Sequence, residues 1–140
     1  MVTPYLLLTR LYRLEACNDK IMSRYKLLNQ AGDSRKSVCN ERLEVRKKIR
    51  TELTQSIHKV RNDNCTEAEK PLLYIISSSV RGSFFMRYLF LNKDWRALQS
   101  FERHNLHLYY EALYTPDASR KIIDLLLRQK ERIEDYLQED

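Results

Sequence analysis

A chain of 140 residues carries enough apolar material for one ordinary domain with its own core and too little for two comfortable ones. Gly32 and Gly82 are the two glycines, and Pro4, Pro71 and Pro116 the three prolines. Tight hairpins and glycine-rich phosphate loops therefore have almost no raw material, which argues against a nucleotide-binding turn of the usual kind. The net charge of +6 is unevenly spread: residues 1–61 hold 14 Lys/Arg against 6 Asp/Glu, a surplus of +8, whereas residues 62–140 hold 11 against 13. An acidic partner is expected to meet the first half, and a nucleic-acid backbone, an anionic membrane surface or an acidic protein would each satisfy that charge.

The first predicted helix runs from about Pro4 to Asn29, with Leu7, Leu11, Leu14, Ile21, Tyr25 and Leu28 along one stripe and Asn18 as its polar gap. Thr3 suits its cap and Pro4 its first turn, and Gln30-Ala31-Gly32-Asp33 supplies the break. A second helix starts at Ser34 or Ser37 and reaches about Val60, burying Val38, Val45, Ile49, Leu53, Ile57 and Val60. Arg42, Arg46, Lys47, Lys48 and Arg50 make it the most basic helix, and Arg61-Asn62-Asp63-Asn64 reads as the turn that ends it.

The third helix, from Thr66 or just before Pro71 to about Leu91, is the most apolar and is expected at the centre of the fold. It carries Leu72, Leu73, Ile75, Ile76, Val80, Phe84, Phe85, Tyr88, Leu89 and Phe90. Its small-sided middle, Ser77 to Ser83, reads as helix packing ahead of a ligand groove. Asn92-Lys93-Asp94 caps a fourth helix from Trp95 to about Tyr114, with Leu98, Phe101, Leu108, Tyr109 and Ala112 inward. Thr115-Pro116-Asp117 combines a capping hydroxyl, a first-turn proline and a carboxylate, and so predicts the start of a fifth helix. That helix buries Ile122, Ile123, Leu126, Ile133 and Leu137 and ends in an acidic tail, Glu139-Asp140. Five helices joined by short polar turns predict an all-α antiparallel bundle forming a single domain over residues 1–140.

Chemistry-bearing patterns are sparse. Cys17, Cys39 and Cys65 are odd in number, widely spaced and free of any CxxC pair, which argues against a disulfide framework or zinc knuckle and for a reducing compartment. The Asn64-Cys65-Thr66 sequon carries no weight without a secretory signal, and the apolar run Tyr5 to Leu8 is far too short to span a bilayer. His104, His107 and Glu111 share a helical face, yet no second ligand set accompanies them, so hydrogen-bonded or solvated histidines are the simpler reading. No nucleophile with an activating base and no carboxylate pair stands at a persuasive spacing, so catalysis is not expected.

One string is more specific. Leu11-Tyr12-Arg13 on the first helix resembles the signature of the LYR-motif (complex I LYR-like) family. Arg46-Lys47-Lys48-Ile49-Arg50 resembles that family's basic second-helix segment, and Thr66-Glu67-Ala68-Glu69 with Leu72-Leu73 and Gly82 resembles its third helix. The likeness covers about residues 4–91 as an LYR-like three-helix core and leaves residues 92–140 as a separate helical hairpin.

The resemblance implies a non-catalytic accessory or assembly subunit of a multiprotein complex on the matrix side of the mitochondrion. Its partner would be the acyl carrier protein, with other subunits of the large complex beside it. Arg10, Tyr12, Arg13, Arg46, Lys47 and Arg50 would meet the carrier, and Leu8, Leu11, Val80 and Phe84 would border the acyl chain. The chain would hold no cofactor of its own, the acyl-phosphopantetheine being carried by the partner. The alternative is a basic helical subunit of a ribonucleoprotein with the second helix along RNA phosphates, although no aromatics interleave with Arg46 to Arg50 to stack on bases.

Overall fold

The structure, a computed structural model, describes residues 4–30, 35–89, 95–116 and 118–138, with the backbone alone at residues 4 and 84–89. These form five α-helices: α1 (Pro4–Gln30), α2 (Lys36–Asn64), α3 (Lys70–Leu89), α4 (Trp95–Leu113) and α5 (Arg120–Gln138). A single 3-10 turn, Glu67–Glu69, leads into α3, and no strand occurs among the described residues. The fold is the expected all-α bundle. The expected cap at Thr3, the break at residues 31–33, Ser34, the segment 90–94, Asp117 and the tail 139–140 lie outside the described residues.

Four helices close a ring in the order α1, α2, α5, α4, and α3 lies outside it against α1. Pairings along the chain show that neighbours in the ring run antiparallel. Asn18 of α1 meets Arg46 of α2, and Thr54 of α2 meets Glu15 of α1. Arg10 of α1 meets Glu111 of α4, while Tyr25 meets Glu102 one end further on. Tyr109 and Glu102 of α4 pair with Gln129 and Tyr136 of α5. This is the arrangement that lets each helix bury one stripe against two neighbours.

The predicted central element is not the central one. α1 is covered by α2, α3 and α4 and buries Leu7, Leu8, Leu11, Tyr12, Leu14, Ala16, Cys17, Ile21, Met22, Tyr25 and Leu28. Among the described residues, α3 meets no other α-helix and buries only Leu73 and Val80, leaving Tyr74 74% and Ile75 62% exposed. Its apolar content misled because hydrophobicity summed over a helix does not say on how many sides neighbours lie. The side chains of Phe85, Tyr88 and Leu89 are outside the described set.

Two boundaries also move. Arg61 to Asn64 continue α2 instead of turning, and the chain reverses at Cys65, whose amide donates to the Arg61 carbonyl. At Thr66 a capping arrangement forms: Glu69 accepts from the Thr66 amide at 2.9 Å and its hydroxyl at 3.1 Å. α5 begins at Arg120, not at Pro116, with the Ser119 hydroxyl accepting from the Ile122 amide at 3.3 Å. Thr115 is buried and employed elsewhere, accepting from the Arg10 guanidinium at 2.9 Å.

Because α1 is the shared wall of the bundle, Leu11→Ala should lower the unfolding free energy by about 2–5 kcal/mol, whereas Ile75→Ser on α3 should stay within about 0.5 kcal/mol of the parent. Urea denaturation followed by circular dichroism checks both. A large loss from the α3 change would contradict its outer position.

Candidate functional site

On α2, Arg42 and Arg46 are one helical turn apart, and Arg46 continues the row through Ile49 and Leu53, so the stripe that buries leucine and isoleucine also buries two guanidinium groups. Arg46 is wholly enclosed. Its Nη2 forms an ion pair with Oε2 of Glu102 on α4, also wholly enclosed. Its Nη1 donates to Asn18 of α1 at 3.1 Å and to Asn105 of α4 at 2.7 Å, and its Nε donates to the Tyr136 hydroxyl of α5 at 2.9 Å. One side chain thus touches all four helices of the ring. The Asn18 amide donates back to the Arg46 carbonyl at 3.1 Å, fixing α1 to the α2 backbone at the same level.

Around this pair the remaining charge is shared out. Oε1 of Glu102 accepts from the hydroxyls of Tyr25 at 2.6 Å and Tyr136 at 2.5 Å. Arg42 donates to the Tyr25 hydroxyl, to Gln99 and to the Tyr136 carbonyl, and its guanidinium lies 4.7 Å from the Tyr136 ring centre and 5.1 Å from that of Trp95. Towards the other end, the Tyr109 hydroxyl donates to Gln129, which donates to Glu52 of α2. Burial is the largest single influence on Arg46 and would lower its pKa, but Glu102 and the surrounding Tyr136, Tyr109 and Cys17 together outweigh it and hold the guanidinium in its charged form. Burial raises the Tyr25, Tyr109 and Tyr136 phenols; the Glu102 charge adds to the rise at Tyr25, while Arg46 partly opposes it at Tyr136.

The predicted contact residues divide sharply. Arg46 is turned into the core and is not available to a partner. Arg10 holds the end of α4, donating to the Glu111 carbonyl at 3.0 Å as well as to Thr115. Tyr12 is buried, and burial raises its phenol. Arg13 lies at the surface 3.6 Å from Glu111. Lys47 and Arg50 are on the outer side of α2, paired with Glu44 and Asp19. The expected acyl slot is closed where it can be seen: Leu8 and Leu11 are completely buried and Val80 nearly so, while the Phe84 side chain lies outside the described residues. A groove of about 620 Å³ lies elsewhere, between α2 and α5.

Sequence reasoning overlooked Glu102, Asn105, Gln129 and Tyr136. A signal was present, since Leu98, Phe101, Glu102, Asn105, Leu108, Tyr109 and Ala112 share one helical stripe, and polar residues in such a stripe must find partners inside. On α2 the buried line is Cys39, Arg42, Leu43, Arg46, Ile49, Leu53, Ile57 and Val60, so Val38 and Val45 are only half-buried where they were expected inside. On α5, Gln129 and Tyr136 are buried while Ile122, Ile123 and Leu137 are half-covered.

Comparison of the chain with known protein families, with curated proteins and with solved structures gives no match. The chemistry therefore rests on the geometry. The middle of a four-helix bundle is where facing side chains build metal and cofactor sites. Here that place is filled by a guanidinium whose counter-ion has both oxygens engaged, Oε2 by Arg46 and Oε1 by Tyr25 and Tyr136. The three cysteines are not disulfide-bonded. His107 reaches Glu111 at 3.6 Å, His104 stacks on Phe101, and among the described residues no cluster of three His, Cys, Asp or Glu could hold a metal.

Removing one member of the pair leaves the other charged and alone in the core, so Arg46→Ala should cost about 3–5 kcal/mol. In a double-mutant cycle with Glu102→Leu, the combined loss should fall short of the summed single losses by about 1–3 kcal/mol, as measured by denaturant unfolding. A second outcome concerns pH. Phenols held neutral in the fold and freer to ionise when unfolded give stability that is complete below the ordinary phenol value near 10 and is lost as pH climbs above it. Absorbance at 295 nm should accordingly show the Tyr25, Tyr109 and Tyr136 phenols ionising together with the alkaline unfolding seen by circular dichroism.

Proposed function

We propose that this chain is a non-catalytic helical adaptor that binds an acidic partner protein through the outer face of α2, as an accessory or assembly subunit of a mitochondrial complex. The carrying observation is the row Lys47, Lys48 and Arg50, all exposed on a rigid helix in the basic half of the chain. The Leu11-Tyr12-Arg13 string supports an acyl carrier protein as the acidic partner, because such a carrier offers a negatively charged helix to these cations. Arg13, half exposed, pairs with Glu111 of α4 and so stands on the side of α1 away from this surface. Leu8 and Leu11 are already covered, so a carrier docked here meets the adaptor chiefly through charge, and an acyl tail needs another opening. Attraction of this kind speeds association and weakens with salt.

The test is titration of the purified chain with an acyl-loaded carrier protein in low and physiological salt. The Lys47→Glu, Lys48→Glu, Arg50→Glu variant should bind at least about tenfold more weakly while keeping its helical spectrum, since reversed rim charges repel. Undiminished binding by the variant sinks the proposal. So does the alternative pattern, no carrier complex but tight RNA binding whose logarithm falls linearly with the logarithm of salt.

A further inference from the structure

α2 and α5 are neighbours in the ring, yet they separate towards the C-terminal end of α2 and the N-terminal end of α5, where Leu7 of α1 becomes visible between them. The groove so formed has an apolar floor of Leu7, Val60, Ile122 and Leu125. Lys59 stands on one side, and Lys121 and Arg128 stand on the other. Cations beside a hydrophobic trough are an uneconomical way to finish a bundle, since an isolated domain gains more by closing the gap. We propose that this groove is a binding site for a free fatty carboxylate, its tail along Leu7, Val60, Ile122 and Leu125 and its head against Lys59, Lys121 and Arg128.

Size admits this occupant and charge favours it. The volume of about 620 Å³ lies within the 300–1,000 Å³ typical of small-molecule sites. A neutral lipid would leave the cations without a counterpart. The two acids on the groove wall do not remove them: Glu52 is engaged by Gln129 and lies 3.6 Å from Arg132, and Asp63 makes no ion pair with any described residue. None of Lys59, Lys121 and Arg128 forms an ion pair with a described residue either, so all three can turn to an anionic head. The methylene stems of the lysines extend the apolar wall while their ammonium groups stay at the rim. This site does not depend on the adaptor reading, because it needs no second protein.

Calorimetric titration of the full chain with decanoate, well below its micelle threshold, and with 1-decanol checks the proposal. Decanoate should bind saturably at one site and about tenfold more tightly than the alcohol, and the preference should shrink as salt rises. Lys59→Gln, Lys121→Gln, Arg128→Gln, three changes at exposed positions that make no ion pair with a described residue, should erase the preference without altering the helical spectrum. Leu125→Gln should weaken both ligands together. Equal affinity for acid and alcohol, an unchanged preference in the triple variant, or no saturable binding of decanoate each overturns the assignment.

Discussion

Everything in the bundle is organised around one guanidinium that cannot leave. Taking a cation out of water costs several kcal/mol even after relaxation, and the cost is met only if every donor has an acceptor and the counter-ion is also satisfied. Each of the three Arg46 guanidinium nitrogens finds an acceptor on α1, α4 or α5, so the four helices must stand at one height and one rotation for the charge to be tolerated. Displacing α4 by one turn, about 5.4 Å, would strand Glu102 and Arg46 together with two phenols. Apolar layers above and below could accept such a slip by repacking; the polar layer could not. The pair thus specifies register more than it adds stability.

This choice explains why α3 is outside. The interior of a four-helix ring is filled, and a fifth helix can only lie on its surface. α3 therefore uses Leu73 and Val80 to cover α1 and presents Tyr74 and Ile75 to solvent, despite being the least polar helix by composition. The exposed ion pair from Arg81 to Glu15 ties it to α1 at the rim, an interaction of small value beside the buried one.

How much of this was legible in the sequence follows from the same physics. Helix number, and the inward faces of α1 and α4, could be read because Leu7, Leu11, Leu14, Ile21 and Leu98, Leu108, Ala112 obey the 3.6-residue period with ordinary apolar side chains. Asn18 stood out as a gap in the α1 stripe, and the gap is where the guanidinium enters. The helix start at Ser119 was missed because Thr115-Pro116 satisfies every local rule for a cap, while a distant residue, Arg10, claims the hydroxyl. Arg46 was read as a surface cation because arginine is rarely buried without a partner, and its partners lie 56 to 90 residues further along the chain, apart from Asn18.

The basic character of the first half consequently has two meanings that composition cannot separate. Arg24, Arg42 and Arg46 are buried, and Arg10 is half-buried against α4, so part of the +8 surplus is structural and invisible to a passing anion. What remains outside is concentrated on α2, in Lys47, Lys48 and Arg50 near its middle and Lys59 towards its C-terminal end. A helix clamped on its inner face by an enclosed salt link is a stiff bar on its outer face, and cations fixed to a stiff bar lose less freedom on meeting a partner than cations on a loop would. The inward arginines thereby make the outward lysines and Arg50 better contacts, which links the core of this fold to whatever it binds.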